Sequence, residues 1–186
     1  EEKSEKVTRC FMATQNRAEV LKQLTEELFR YSIIMSVQEP VQLEPLCVND
    51  LLEQSLVSFY GALTKSGITP QIDITEKKII RPLNRTAFLR VLSNILNNAV
   101  KYSDGDLNVV LSETGEITFS NTAQNLNDVQ VGKLFNRFFS VETARNSTGL
   151  GLAIAKTLVE QMHGTITAHY CDGVLSVWLD FSQTAE

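Results

Sequence analysis

Asn94, Asn98 and Lys101 stand at i, i+4 and i+7 within SNILNNAVKYSDG, residues 93 to 105. In a helix with 3.6 residues per turn they share one stripe about 40° wide. Asn97 lies beside it, and Phe88, Val91, Leu92, Ile95, Leu96 and Ala99 fall on the opposite side. Asparagine is a poor helix former, because its side chain competes for nearby backbone groups. Solvated helix faces are usually built from Glu, Lys and Gln. A row of amides ending in an ammonium therefore suggests a use: amides both donate and accept hydrogen bonds, and lysine supplies positive charge.

A second candidate is STGLGLAIAK, residues 147 to 156. Gly149 and Gly151 precede an apolar helix. Glycines permit close backbone approach, and a helix N-terminus offers unpaired N–H groups and a positive dipole end to phosphate. The same pattern also serves as a plain turn before a core helix, and the Walker spacing is absent. A third candidate is LFNRFFSVETARNSTG. Phe135, Phe138 and Phe139 could pack at the base of a flap that carries Arg137 and Arg145 over a phosphate. The ordinary alternative is a short core helix followed by a surface loop.

These groups need elements to hold them. Residues 5 to 35 read as one long helix, with Leu21, Leu24, Leu28, Tyr31 and Met35 forming a bundle seam that requires a partner helix. Pro40 and Pro45 end helical structure, place a boundary near residue 40 and lead into a first strand. Asp50 and Glu53 suggest a capping box for a helix burying Leu52, Leu56, Phe59 and Leu63, with Gly67 at its end. QIDI and KKII read as short strands, and Asn84 caps the asparagine helix. LNVVLS and EITFS form a hairpin around ETGE. Helices are expected over 129–135 and 150–162, and TITAHY and VLSVWLDF close the chain as a hairpin around CDG. The expected class is α+β, a two-layer α/β sandwich with a mixed sheet under helices, preceded by one long bundle helix.

Composition sets outer limits. The 186 residues are 43% hydrophobic with a net charge of −5, which suits a folded domain and argues against a general nucleic-acid binder. No apolar run reaches membrane-spanning length. Cys10, Cys47 and Cys171 make no metal-ligand spacing and read as reduced packing residues.

Taken in order along the chain, these stretches resemble the catalytic and ATP-binding domain of two-component sensor histidine kinases. That domain has the Bergerat fold, shared with type II topoisomerases and MutL-type ATPases. NILNNAVKYS looks like the N box, LFNRFF like the F box, TGLGLAIAK like the G2 box, and VEQMHGTI like the helix end and strand after it. RAEVLKQLTEELFRYS resembles the second helix of the dimerisation and phosphotransfer hairpin. The resemblance implies a partial hairpin domain over 1–38 and a catalytic domain over 39–186. It implies ATP and Mg²⁺ as cofactors. Asn98 would ligate the metal, Asn94 its water shell or a phosphate, Lys101 a phosphate, and Tyr102 the ribose and phosphate. Thr148, Gly149, Leu150, Gly151 and Leu152 would hold phosphates, with Arg137 and Arg145 as lid cations. Asn94, Asn98 and Lys101 form the catalytic set.

Two departures stand out. Where the family reads Asp-x-Gly-x-Gly, this chain reads NTAQN, residues 121 to 125. Asn121 can still accept from an adenine amino group through its carbonyl, and Asn125 tolerates left-handed backbone in place of glycine. No His-Glu-x-Arg-x-Pro acceptor motif is present, and the histidines are His163 and His169. The reading is the ATP-binding kinase core of a sensor histidine kinase, a fragment that starts inside the hairpin and cannot phosphorylate itself. It would pass the γ-phosphoryl to a histidine on an absent helix, for relay to a response-regulator aspartate. The parent is expected to dimerise through the hairpin and to be membrane-anchored, with this portion cytoplasmic. The alternatives are a degenerate nucleotide-binding interaction module, or an ATPase or serine kinase of the same fold. The bundle seam, and Asn94 where hydrolysing relatives carry glutamate, favour the first reading.

Overall fold

Leu107, Val109 and Leu111, then Ile117 and Phe119, are buried at every second position, the period of a strand with one face on a core. The computed structural model describes residues 41–139 and 148–182, together with helical positions scattered between 7 and 32. Its elements are β1 (Glu44–Cys47), α1 (Val48–Lys65), β2 (Thr69–Ile74), β3 (Ile80–Leu83), α2 (Arg85–Tyr102), β4 (Asp106–Leu111), β5 (Ile117–Thr122), α3 (Asp128–Val131), α4 (Gly151–Gln161), β6 (Thr165–Cys171) and β7 (Val174–Asp180).

The main sheet has five strands in the order β2-β4-β5-β7-β6. β2 and β4 run parallel and the other neighbours antiparallel, so the sheet is mixed, as expected. α2 packs against α4, and α1 against α2. Together they cover one face of the sheet. Phe88, Leu92 and Leu96 of α2 are fully buried with Leu107, Ile117 and Leu179 of the strands. Burying one such side chain contributes roughly 1.5–3 kcal/mol, more than a typical helix cap at about 1 kcal/mol. Contact with the sheet, more than local capping, therefore fixes where each helix lies.

Several local expectations are corrected. α1 starts at Val48 without the Asp50–Glu53 capping box. Its first N–H is satisfied instead by the Ile79 carbonyl at 2.9 Å, and Asp50 sits in the first turn, where a carboxylate suits the dipole. Phe59 packs against the core as expected, though half-buried. The KKII strand begins at Ile80, because Asn49 claims the preceding loop. Its Nδ2 donates to the Thr75 and Lys77 carbonyls at 2.9 and 3.1 Å, and its Oδ1 accepts from Ile79 N–H at 2.9 Å. β3 then pairs with β1 as a two-stranded ribbon, Pro45 opposite Pro82; outside the main ladder, prolines are tolerated.

The helix expected over 129–135 is the single turn α3. Asn127 caps it with a reciprocal pair, accepting from Gln130 N–H at 2.9 Å while Gln130 Oε1 accepts from Asn127 N–H at 3.0 Å. Gly132 follows at its C-cap and the chain continues in turns. Cys171 is exposed rather than packed. A hydrogen bond to Asp172 and that carboxylate's charge push its thiol pKa up. Cys47 is half-buried, and Cys10 lies outside the described residues.

At the N-terminal end every described position between 7 and 32 is helical and exposed. Leu21 and Leu28 of the expected seam are 63% and 48% exposed. Leu24, Tyr31 and Met35 lie outside the described residues. No helix among the described residues is long and apolar enough to cross a membrane.

Candidate functional site

α2 starts where Asn84 accepts from Ala87 N–H at 3.0 Å and ends where Ser103 N–H returns to the Ala99 carbonyl at 2.9 Å. Between these caps the amide stripe is not uniformly solvated. Asn94 is only 9% exposed, because α4 packs over that side of α2. Asn98 and Tyr102 are half-buried, and Lys101 and Asn97 are exposed. Asn97 turns sideways to donate to Ser93 Oγ at 3.4 Å.

Asn94 is the most informative of these residues. Its Nδ2 is sealed from solvent and has no hydrogen-bond partner. A buried donor left unpaired costs about 1–3 kcal/mol. Gly151, the first residue of α4, stands opposite: a Cβ there would lie 3.9 Å from Asn94 Oδ1. The polar stripe of α2 and the N-terminus of α4 therefore meet at these two residues. The Leu150 N-cap provides no side-chain cap, so the first-turn N–H groups of α4 are left for other acceptors. Leu150 and Leu152 are core side chains, 0% and 7% exposed, and have only backbone to offer. Leu150 N–H already approaches Thr148 Oγ1 at 3.3 Å.

Gly149 is required by packing. At φ +66° it adopts left-handed backbone, and a Cβ there would fall 2.6 Å from Phe138 C and Phe139 O. It is the point where the turn before α4 packs on the backbone of the phenylalanine segment. Phe135 is half-buried against the core, with Lys156 Nζ 5.9 Å above its ring. Phe138, at φ 60° and 62% exposed, does not pack at the base of a flap. Arg137 is exposed, and Arg145 lies outside the described residues.

Asn121 falls at the third alternate position after Ile117 and Phe119, and so on the helix-facing side of β5, 6% exposed. Its Nδ2 donates to the Thr122 carbonyl at 3.0 Å. Asn125 does not adopt left-handed backbone; among described non-glycine residues only Phe138, His163 and Asp172 have positive φ. Ala123 is held by Gly173 O at 2.8 Å through its N–H and by Tyr170 Oη at 3.0 Å through its carbonyl. The segment keeps its path by tertiary hydrogen bonds where glycines were expected.

One group of residues was not singled out from sequence. Asp106 accepts from Thr122 N–H at 2.8 Å and from Thr122 Oγ1 at 2.9 Å. Asp104 Oδ2 accepts from Gln124 N–H at 2.9 Å, and Asp104 N–H donates to Thr122 O at 3.0 Å. The turn after α2 is thereby tied to the segment carrying Asn121. The signal was present in SDGD, a run of turn-forming residues directly after the amide stripe.

His163 and His169 are placed as scaffold. His163 takes φ 58° just past α4, where its N–H reaches Glu160 O at 3.0 Å. His169 lies in β6 with its ring 4.7 Å from that of Trp178. Among the described residues no group of three or more His, Cys, Asp or Glu converges as a metal site. A divalent cation here would be held by amide oxygen together with the oxygens of its ligand, a donor set that suits Mg²⁺.

The family described as "Histidine kinase-, DNA gyrase B-, and HSP90-like ATPase" matches residues 84–183, which runs from the cap of α2 to the end of the closing hairpin. The chain belongs to that family, and its site lies in the family's ATP-binding domain. Similar proteins carry the names of sensor histidine kinases and sensor proteins. Sensor histidine kinase YcbM of Bacillus subtilis (strain 168) is 26% identical over 156 residues, covering 79% of this chain and 50% of that protein. Sensor protein VanSC of Enterococcus gallinarum is 27% identical over 164 residues, covering 84% of this chain and 45% of that one. The chain thus spans half or less of these relatives. The fold matches the Acinetobacter baumannii histidine kinase AdeS with a TM-score of 0.72 at 22% identity, over 95% of this chain and 84% of that one.

Proposed function

We propose that this chain is the ATP-binding kinase core of a two-component sensor histidine kinase. The observation that carries the reading is Asn94: its Nδ2 is sealed and unpartnered, and its Oδ1 stands 3.9 Å from where a Cβ on Gly151 would lie, at an N-terminus without a side-chain cap. A triphosphate oxygen supplies the acceptor that Nδ2 lacks, and the missing Cβ at Gly151 leaves it room. Asn98 Oδ1 would ligate Mg²⁺, Lys101 would pair with phosphate and Tyr102 would lie along the ribose. Gly149 and Thr148 would shape the turn, and the backbone at Leu150, Gly151 and Leu152 would approach the phosphates. Arg137 and Arg145 would supply lid charge. Mg²⁺ contributes charge neutralisation when bound. The protein's work is positioning the γ-phosphoryl group for an in-line acceptor.

That acceptor is a histidine on a helix that packs against the seam through Leu21 and Leu28, with residues 1–38 as the hairpin's second helix and 39–186 as the catalytic domain. The phosphoryl group would pass onward to a response-regulator aspartate. The parent would be a homodimer with this portion in the cytoplasm. Calorimetric titration with ATP, with and without Mg²⁺, tests the reading. Magnesium-dependent binding that weakens in Asn94→Leu is the expected result. No binding in either condition would reject the kinase core and leave an interaction module of the same fold.

A further inference from the structure

An asparagine at the base-reading position is ambiguous in a way that aspartate is not. It presents either an acceptor or a donor, depending on which way the amide is turned. In this chain the Thr122 carbonyl removes the ambiguity. A carbonyl only accepts, so it holds Asn121 Nδ2 at 3.0 Å and leaves Oδ1 as the group presented elsewhere. That carbonyl is itself held by Asp104 N–H at 3.0 Å. Asp106 clamps the same residue twice more, through Thr122 N–H at 2.8 Å and Thr122 Oγ1 at 2.9 Å. Asp104 Oδ2 fixes the next turn through Gln124 N–H at 2.9 Å. Ser103 Oγ accepts from Gly105 and Asp106 N–H at 3.0 Å each, which braces the aspartates against the end of α2.

We infer that Asp106 and Asp104 are positioning residues that lock the Asn121 amide as an acceptor and thereby set a preference for a purine bearing a 6-amino group over one bearing a 6-keto group. The inference rests on the nucleotide-site reading above and deepens it. With the clamp released, Thr122 O moves, the amide is free to turn, and a 6-keto base meets a donor in place of a repelling acceptor. Aspartate at position 121 has no donor to turn, so it would not need the clamp.

The test compares ATP and GTP affinity, with magnesium, for the whole chain and for Asp106→Ala, Asp106→Asn and Thr122→Val. Each is made with Asn121 retained and in an Asn121→Asp background. Side-chain NH₂ exchange at Asn121 is followed by NMR alongside. The preference for ATP should fall about tenfold in Asp106→Ala, the equivalent of one hydrogen bond of the stronger kind. It should fall less in Asp106→Asn, which keeps an acceptor, and in Thr122→Val, which keeps the backbone bonds and guards against simple unfolding. Protection of the Asn121 NH₂ should fall in parallel. In the Asn121→Asp background the same changes should leave the preference within about twofold. An unchanged preference in Asp106→Ala, or an equal fall in both backgrounds, overturns the inference. If the parent chain binds neither nucleotide, the proposed function fails. Asn121 NH₂ exchange then decides the clamp by itself, and protection unaltered by Asp106→Ala rejects it.

Discussion

Asn94 and Gly151 face one another across the contact between α2 and α4, with 3.9 Å between Asn94 Oδ1 and the place a Cβ on Gly151 would occupy. That distance is ordinary van der Waals contact, so Gly151→Ala meets no clash. Alanine is the better helix residue by up to about 1 kcal/mol. Gly151→Ala should therefore keep or raise the melting temperature while weakening ATP binding, because the methyl group stands beside the Asn94 amide. Thermal melts paired with calorimetry check this; unchanged affinity would mean phosphate does not pass between these residues.

Gly149→Ala should behave in the opposite way. Its Cβ would lie 2.6 Å from backbone atoms of Phe138 and Phe139, and its φ of +66° strains any L side chain. Backbone cannot step aside as a flexible side chain does. A destabilisation of about 1–3 kcal/mol is expected, with the phenylalanine segment displaced. Urea melts measure the first effect, and NMR shifts around Phe135 and Phe139 the second.

Asn98→Ala addresses the metal. Asn98 is half-buried on α2, and alanine favours the helix, so circular dichroism and melting should hardly change. The magnesium-dependent part of ATP affinity should disappear. If ATP binds equally well with and without Mg²⁺ in both parent and variant, Asn98 is not a metal ligand.

The amide stripe and the glycine turn were legible because each rests on local chemistry: a helical period for Asn94, Asn98 and Lys101, and missing side chains at Gly149 and Gly151. The burial of Asn94 was not, because the covering helix comes from much later in the chain. Asn121 was legible as a departure from a family pattern. Its orientation was hidden, because it depends on Asp104 and Asp106 reaching across from another element. The helix expected over 129–135 failed where the apolar residues Leu134 and Phe135 suggested continuation past Gly132, although they are half-buried in turns. Side-chain caps and clamps such as Asn49 are tertiary bonds whose partners no periodicity reveals.

Asn49 is the sharpest case. It is 7% exposed, and its side chain satisfies the Thr75 and Lys77 carbonyls and Ile79 N–H. Asn49→Ala would leave these groups with no side-chain partner at the start of β3. Roughly 3 kcal/mol of stability should be lost. Nucleotide affinity of the folded fraction should be unaffected, because the clamp serves the β1–β3 ribbon and not the α2–α4 contact. Equilibrium unfolding gives the first quantity, and titration well below the melting temperature the second.

The last prediction concerns the two histidines. His169 alternates along β6 with Ala168 and Tyr170, which pack on the core beneath the helices. Successive strand residues point to opposite faces, so His169 lies on the far side of the sheet from Asn94, against the Trp178 ring. His163 follows α4 at the end opposite Gly151, held in left-handed backbone at φ 58°. A phosphoryl acceptor must come within about 3–3.5 Å of the reacting atom, in line, and neither histidine meets that condition on its own scaffold. The 186-residue chain should therefore take no acid-labile label from γ-labelled ATP. A helix bearing an exposed histidine, joined ahead of residue 1 so that it pairs with the seam through Leu21 and Leu28, should restore labelling. Acid-labile label on the chain alone that vanishes in His163→Ala or His169→Ala would show that the acceptor lies within this domain.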